Sequence, residues 1–117
     1  MGDIQRFHVG ARLSETAVHN GTVHLAGQVP DDTTADLRGQ TAQVLAMVDR
    51  LLAEAGSDKT CILFTQIFLT DIGRIGEMNE VWDAWVPAGH TPPRATVQAA
   101  LANPGYLIEI VVTAAQR

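Results

Sequence analysis

The run Tyr106-Leu-Ile-Glu-Ile-Val-Val-Thr113 constrains the fold more than any other stretch, because it is rich in β-branched residues, apolar on both sides and interrupted by one carboxylate. Period-two alternation puts Ile108, Ile110 and Val112 on one side of such a strand and Leu107, Glu109, Val111 and Thr113 on the other. Both sides therefore need cover. A second run, Cys61-Ile-Leu-Phe-Thr-Gln-Ile-Phe-Leu-Thr70, is also too apolar on both faces for a solvated edge and reads as a central strand.

Two amphipathic segments supply cover for one face. Beyond Gly27-Gln-Val-Pro30, the stretch Asp31-Asp-Thr-Thr34 offers N-cap side chains, and a helix is expected to follow. Thr41, Val44, Leu45, Val48, Leu51, Leu52 and Ala55 recur at spacings of three and four and share a stripe, and Gly56 stops the helix. Asp71 is placed to cap a second helix carrying Ile75, Met78, Val81, Trp82 and Trp85 on one stripe, which Pro87 and Gly89 end. Short strands open the chain: Ile4 to Phe7, Ala17 to His19 and Thr22 to Leu25, the last two joined by the hairpin signal Asn20-Gly21. Arg94 to Gln98 and Leu107 to Thr113 close it, with Asn103-Pro-Gly105 marking a turn region between them. The order implies an α+β domain spanning residues 1–117, with two helices packed on one face of a mixed sheet. Since two helices cover only one face, the other is expected to pack against further copies of the chain.

Composition removes several function classes. With 46% hydrophobic and 18% charged residues, the chain has enough apolar surface to fold and too little charge for disorder. Net charge is −5, and the eight basic residues are scattered, so no patch is available to neutralise a phosphate backbone. A nucleic-acid partner is not expected. Cys61 is the only cysteine, which excludes a disulfide framework and fits a reducing compartment. The first fifteen residues lack the apolar core of a signal peptide, and no run approaches the ~20 apolar residues of a membrane span, so a cytoplasmic location is expected. His8, His19, His24 and His90 show no metal-binding spacing, and no phosphate-loop glycine pattern is present; neither metal nor nucleotide cofactor is expected.

Pro92-Pro-Arg94-Ala-Thr-Val97 is the strongest site candidate. Arg94 shares a strand side with Thr96 and Gln98. Its guanidinium is a planar fork of donors suited to a small organic acid, and Pro93 stiffens the strand entrance that presents it. Glu109, flanked by Leu107 and Val111, could serve as general base if bulk water is kept away. An ion pair between Arg94 and Glu109, across the sheet or between subunits, is the competing structural reading. Asn79 could hydrogen-bond a ligand or simply face water. Trp82 and Trp85 read as core or interface residues, Cys61 as a small buried hydrophobe, and Ser14 and Ser57 lack a nucleophile-elbow context.

Seven segments in order resemble the Rid family of reactive-intermediate enamine/imine deaminases, also called YjgF-like: Val23-His-Leu-Ala-Gly-Gln-Val-Pro30, Gln40-Thr-Ala-Gln-Val-Leu45 leading to Leu52-Ala-Glu-Ala-Gly56, Phe68-Leu-Thr-Asp-Ile72, Met78-Asn79, Pro92-Pro-Arg-Ala95 and Ile108-Glu-Ile110. The resemblance implies a chorismate-mutase-like fold with a six-stranded mixed sheet, in which the 62–69 strand lies between those of Arg94 and Glu109. It implies a homotrimer with clefts between subunits, no cofactor, and hydrolysis of 2-aminoacrylate-like enamines and imines to 2-oxo acids and ammonia. Arg94 would then hold the substrate carboxylate and Glu109 orient water, the two bracketing a small acid across one intervening strand, while Asn79, Thr96 and the backbone near Gly27 line the cleft. Leu13, Ala26 and Thr96 stand where the best characterised deaminases carry tyrosine, serine and cysteine. A binding protein for small 2-oxo acids is the alternative. A third, an endoribonuclease or translation inhibitor, is a label of some relatives that the acidic composition disfavours.

Overall fold

The computed structural model describes residues 2–117. Strands β1 (Gln5–Val9), β2 (Ser14–His19) and β3 (Thr22–Leu25) precede α1 (Leu37–Glu54). Then come β4 (Ile62–Leu69), α2 (Ile75–Trp85), β5 (Arg94–Gln98) and β6 (Ile108–Ala115). The six strands form one sheet in the order β1-β2-β3-β6-β4-β5, antiparallel throughout except for the parallel pair β4 and β5. Both helices lie on one face, which is the expected α+β arrangement.

Asn20 and Gly21 both adopt positive φ, 51° and 79°, so the β2–β3 connection is the two-residue turn that Asn-Gly favours. β2 begins at Ser14, three residues before the expected start, because it pairs with β1 on one side and β3 on the other. The cap of α1 also differs from expectation. Asp36 is the N-cap, accepting from the Gly39 N–H at 2.9 Å, whereas Asp32 closes its own turn by accepting from the Thr34 N–H and hydroxyl. Both aspartates have the right chemistry; Asp36 wins because it directly precedes Leu37, the first side chain buried under the helix. Gly56 follows the helix at φ 76°, as a C-terminal glycine should. Asp71 accepts from the Gly73 N–H and so caps the short turn Ile72–Arg74 that leads into α2, not α2 itself.

Val44, Leu45, Val48, Leu51 and Leu52 of α1, with Met78 and Trp82 of α2, pack on Val23, Ile67, Leu69, Ile108, Ile110 and Val112 of the sheet. Their burial is the main stabilising term, at ~25 cal/mol per Å² of apolar surface removed from water. β6 alternates as expected: Ile108, Ile110, Val112 and Ala114 are buried under the helices, while Glu109, Val111, Thr113 and Ala115 line the opposite, uncovered face. Phe64, 41% exposed, and Val97, 44% exposed, also point to that open face. No helix among the described residues is long and apolar enough to cross a membrane.

Candidate functional site

β5 is an edge strand whose entrance is fixed by Pro93: its carbonyl accepts from the Thr65 N–H at 3.0 Å, and its missing N–H removes no ladder bond at this first position. Arg94 then pairs with Thr65, and Thr96 with Ile67. Thr65 and Ile67 are fully buried on the helix side, so Arg94 and Thr96 emerge on that same side. The Arg94 guanidinium carbon sits 5.2 Å from the ring centre of Trp82 on α2.

Glu109 lies elsewhere. It pairs with Phe68 on β4. Residues 65 and 68 are an odd number of positions apart on one strand, so the partners they align, Arg94 and Glu109, leave the sheet through opposite faces. β4 does lie between their strands, as the resemblance implies. Yet the expectation that the two side chains bracket one small acid within a single chain is overturned, because the sheet itself separates them. The competing ion pair across the sheet is ruled out within one chain for the same reason.

Several buried oxygens on β4, β5 and α2 have no partner. Among the described residues, Asn79 Oδ1, Thr96 Oγ1 and Thr65 Oγ1 are buried and make no hydrogen bond. Arg94 itself has neither a carboxylate partner nor a hydrogen bond there, whereas Arg38, Arg74 and Arg117 are each paired with acids. Arg74 and Glu77, for example, form a two-bond pair at 2.8 and 2.9 Å, which holds the Glu77 carboxyl below its usual range and raises Arg74. A half-buried arginine with no counter-ion, on the same sheet side as the unpartnered Thr65 and Thr96 hydroxyls, is equipped to receive an anion. Thr96, read from the sequence, thus shares the Arg94 side of β5, while Asn79 lies on α2 three residues before Trp82. Thr65 and Trp82 were not legible as site residues: Trp82 lies on an apolar stripe and Thr65 in a strand-forming run, although a hydroxyl at the centre of a buried strand is a signal.

On the open face, Glu109 borders a concavity of about 230 Å³ lined by Phe68 and residues 99–102. Gln28 and Ile110 exchange backbone hydrogen bonds at 2.8 and 3.0 Å, which pins the segment after β3 alongside β6. Gly27 then lies directly against the Glu109 carboxylate, and any Cβ there would overlap it. A larger concavity of about 590 Å³, between Thr70 and the 98–106 connection, is lined by neither Arg94 nor Glu109. Among the described residues no group of three or more His, Cys, Asp or Glu is placed to hold a metal ion.

Comparison with known proteins agrees with this arrangement. The profile of the endoribonuclease L-PSP family matches residues 3–116. The RutC family protein YoaB of Escherichia coli K12 is 47% identical over 112 residues, covering 96% of this chain and 97% of that protein. A YjgF family member from Neisseria meningitidis superposes with a TM-score of 0.94 at 49% identity, covering 98% of this chain and 96% of the other. A member of the conserved Rid protein family from Yersinia pestis does so with a TM-score of 0.82 at 32% identity, over 92% and 90%. The resemblance carried by the seven sequence segments is borne out: the chain belongs to the endoribonuclease L-PSP family, the group that also holds the YjgF, RutC and Rid proteins.

Proposed function

We propose that this protein hydrolyses small enamine and imine acids of the 2-aminoacrylate type to 2-oxo acids and ammonia. Arg94 binds the carboxylate. After an enamine has tautomerised to the imine, Glu109 takes a proton from water as the hydroxide adds to the imine carbon and passes it to nitrogen; the remaining hydroxyl proton then moves to nitrogen as the C–N bond breaks, releasing ammonia and leaving the 2-oxo acid. The carrying observation is Arg94: a half-buried guanidinium with no acidic partner, on the same side of the sheet as the unpartnered hydroxyls of Thr65 and Thr96. Because Glu109 leaves the opposite face of the same sheet, the complete site needs Arg94 of one copy and Glu109 of another. A homotrimer with clefts between subunits supplies that pairing, and its association would cover the open face that bears Phe64, Phe68, Val97 and Val111.

The test is ammonia release from freshly generated iminopyruvate-type substrate. Wild-type protein should accelerate it, and Arg94→Ala should abolish the acceleration. No acceleration by wild-type protein would sink the enzymatic reading for this substrate class. The second reading, binding of 2-oxo acids without turnover, is favoured by one observation: within a single chain Arg94 and Glu109 leave opposite faces of the sheet, so the carboxylate anchor does not share its side with Glu109. Saturable binding of 2-oxobutanoate with no turnover of imines would select it. Cleavage of RNA, the activity in the family's name, is disfavoured by a net charge of −5 with scattered basic residues.

A further inference from the structure

We infer that Trp82 is the positioning residue of the Arg94 site, its indole face taking the place that a carboxylate would otherwise hold. The inference rests on Arg94 being the carboxylate anchor and adds what keeps that anchor free. A half-buried guanidinium ordinarily acquires an acidic partner, as Arg74 does with Glu77. Such a partner neutralises the charge and occupies the donor fork, so an incoming anion must displace it. An aromatic face attracts the cation through its quadrupole and consumes no N–H. Arg94 lies 5.2 Å from the Trp82 ring centre, inside the ~6 Å range over which this attraction acts. The ring also shields one side of the guanidinium from water and leaves its in-plane donors available to a ligand.

The platform is braced from behind. Trp82 is only 6% exposed, and its ring meets that of Trp85 at 5.4 Å between centres with a 47° tilt. Trp85 is tied in turn: its indole N–H donates to Asp49 Oδ2 at 2.9 Å, and Lys59 Nζ donates to its carbonyl at 2.7 Å. A chain of contacts therefore runs from Asp49 on α1 through Trp85 and Trp82 to Arg94 on the edge strand. The guanidinium is held by a fixed surface instead of a mobile acid, which reduces the ordering cost when a ligand arrives.

The experiment is calorimetric titration with 2-oxobutanoate, together with kcat and KM on the imine substrate. Arg94→Ala should lose binding. Trp82→Phe should weaken it roughly three- to ten-fold and Trp82→Leu further, with KM rising and kcat little changed. Because Trp82→Leu could disturb folding, the decisive arm keeps the side chain's shape: fluorinated tryptophans placed at position 82 alone by site-specific incorporation, with Trp85 and its bond to Asp49 left intact. Affinity should fall stepwise as fluorines drain the ring's negative face, while the unfolding midpoint stays in place. Affinity indifferent to fluorination, with Arg94→Ala still abolishing binding, overturns the role of Trp82 alone. Undiminished binding by Arg94→Ala overturns the carboxylate anchor and this inference with it.

Discussion

On β6, Ile108, Ile110, Val112 and Ala114 are at most 2% exposed, while their alternates Glu109, Val111, Thr113 and Ala115 all stay partly open. One strand thus contributes to two surfaces of similar composition with different fates. The helix face is closed by α1 and α2 of the same chain; the other has no cover within the chain. The candidate chemistry divides in the same way, with Arg94, Asn79, Thr96 and Trp82 on the helix side and Glu109 with Gly27 on the open side. On the proposed reading, the difference assigns anion binding to the covered face and makes catalysis depend on the meeting of two faces from different copies.

The strongest way to break this comparison is to truncate neighbours on β6 that point in opposite directions. Ile110→Ala should cost about 2–5 kcal/mol in denaturant unfolding, since the buried side chain leaves a cavity under the helices. Val111→Ala should cost under about 1 kcal/mol in dilute protein and more at concentrations where copies associate. Equal losses in a sample shown to be monomeric by sedimentation would mean that the open face is not open. A concentration-dependent loss at Val111 alone sharpens the case for association.

A subtler probe separates the two faces by function. Gly27 does not need a positive φ, and the atoms a Cβ would meet belong to the free end of the Glu109 side chain. Gly27→Ala should therefore leave stability within about 0.5 kcal/mol while pushing the carboxylate aside. Turnover should fall on the order of 100-fold, and binding of 2-oxobutanoate should stay within about two-fold. Arg94→Ala should do the reverse, removing binding first. If Gly27→Ala weakens binding and spares turnover, the division of labour between the faces is wrong.

Much of the fold was legible because the deciding signals are local. Asn20-Gly21 specifies its own turn, the stripe from Thr41 to Ala55 its own helix, and the alternation in β6 its own two sides. The cap of α1 was less so, since Asp31, Asp32, Thr33 and Thr34 offer the same chemistry as Asp36, and the choice depends on where Leu37 meets the sheet. The relation of Arg94 to Glu109 could not be read from either strand. Each alternation is visible, but their relative phase is set only through β4, where Thr65 meets Arg94 and Phe68 meets Glu109. A shift of one residue in either register would have put both side chains on one face.

The smallest expected effect lies at the rim that both faces share. Asp58 accepts hydrogen bonds from the Thr60 hydroxyl and N–H at the turn entering β4, and these hold its carboxyl below the ordinary range; Arg117, 3.1 Å away at the end of the chain, adds to this. Asp32 is held low in the same way by Thr34, and Glu77 by Arg74. A carboxyl with a lowered folded value stabilises the fold above its unfolded pKa of about 4, and loses that contribution as pH falls through the lowered value. Unfolding free energy measured from pH 6 down to 2 should therefore decline in the acid region, and Asp58→Asn should flatten the decline slightly without changing the slope above pH 5. Because the ends of β4 and β6 belong to the covered core and to the open face alike, the same substitution should shift monomer unfolding and association together. An acid-dependent change in one without the other would show that the two surfaces are less tightly coupled through their common strands than their shared register requires.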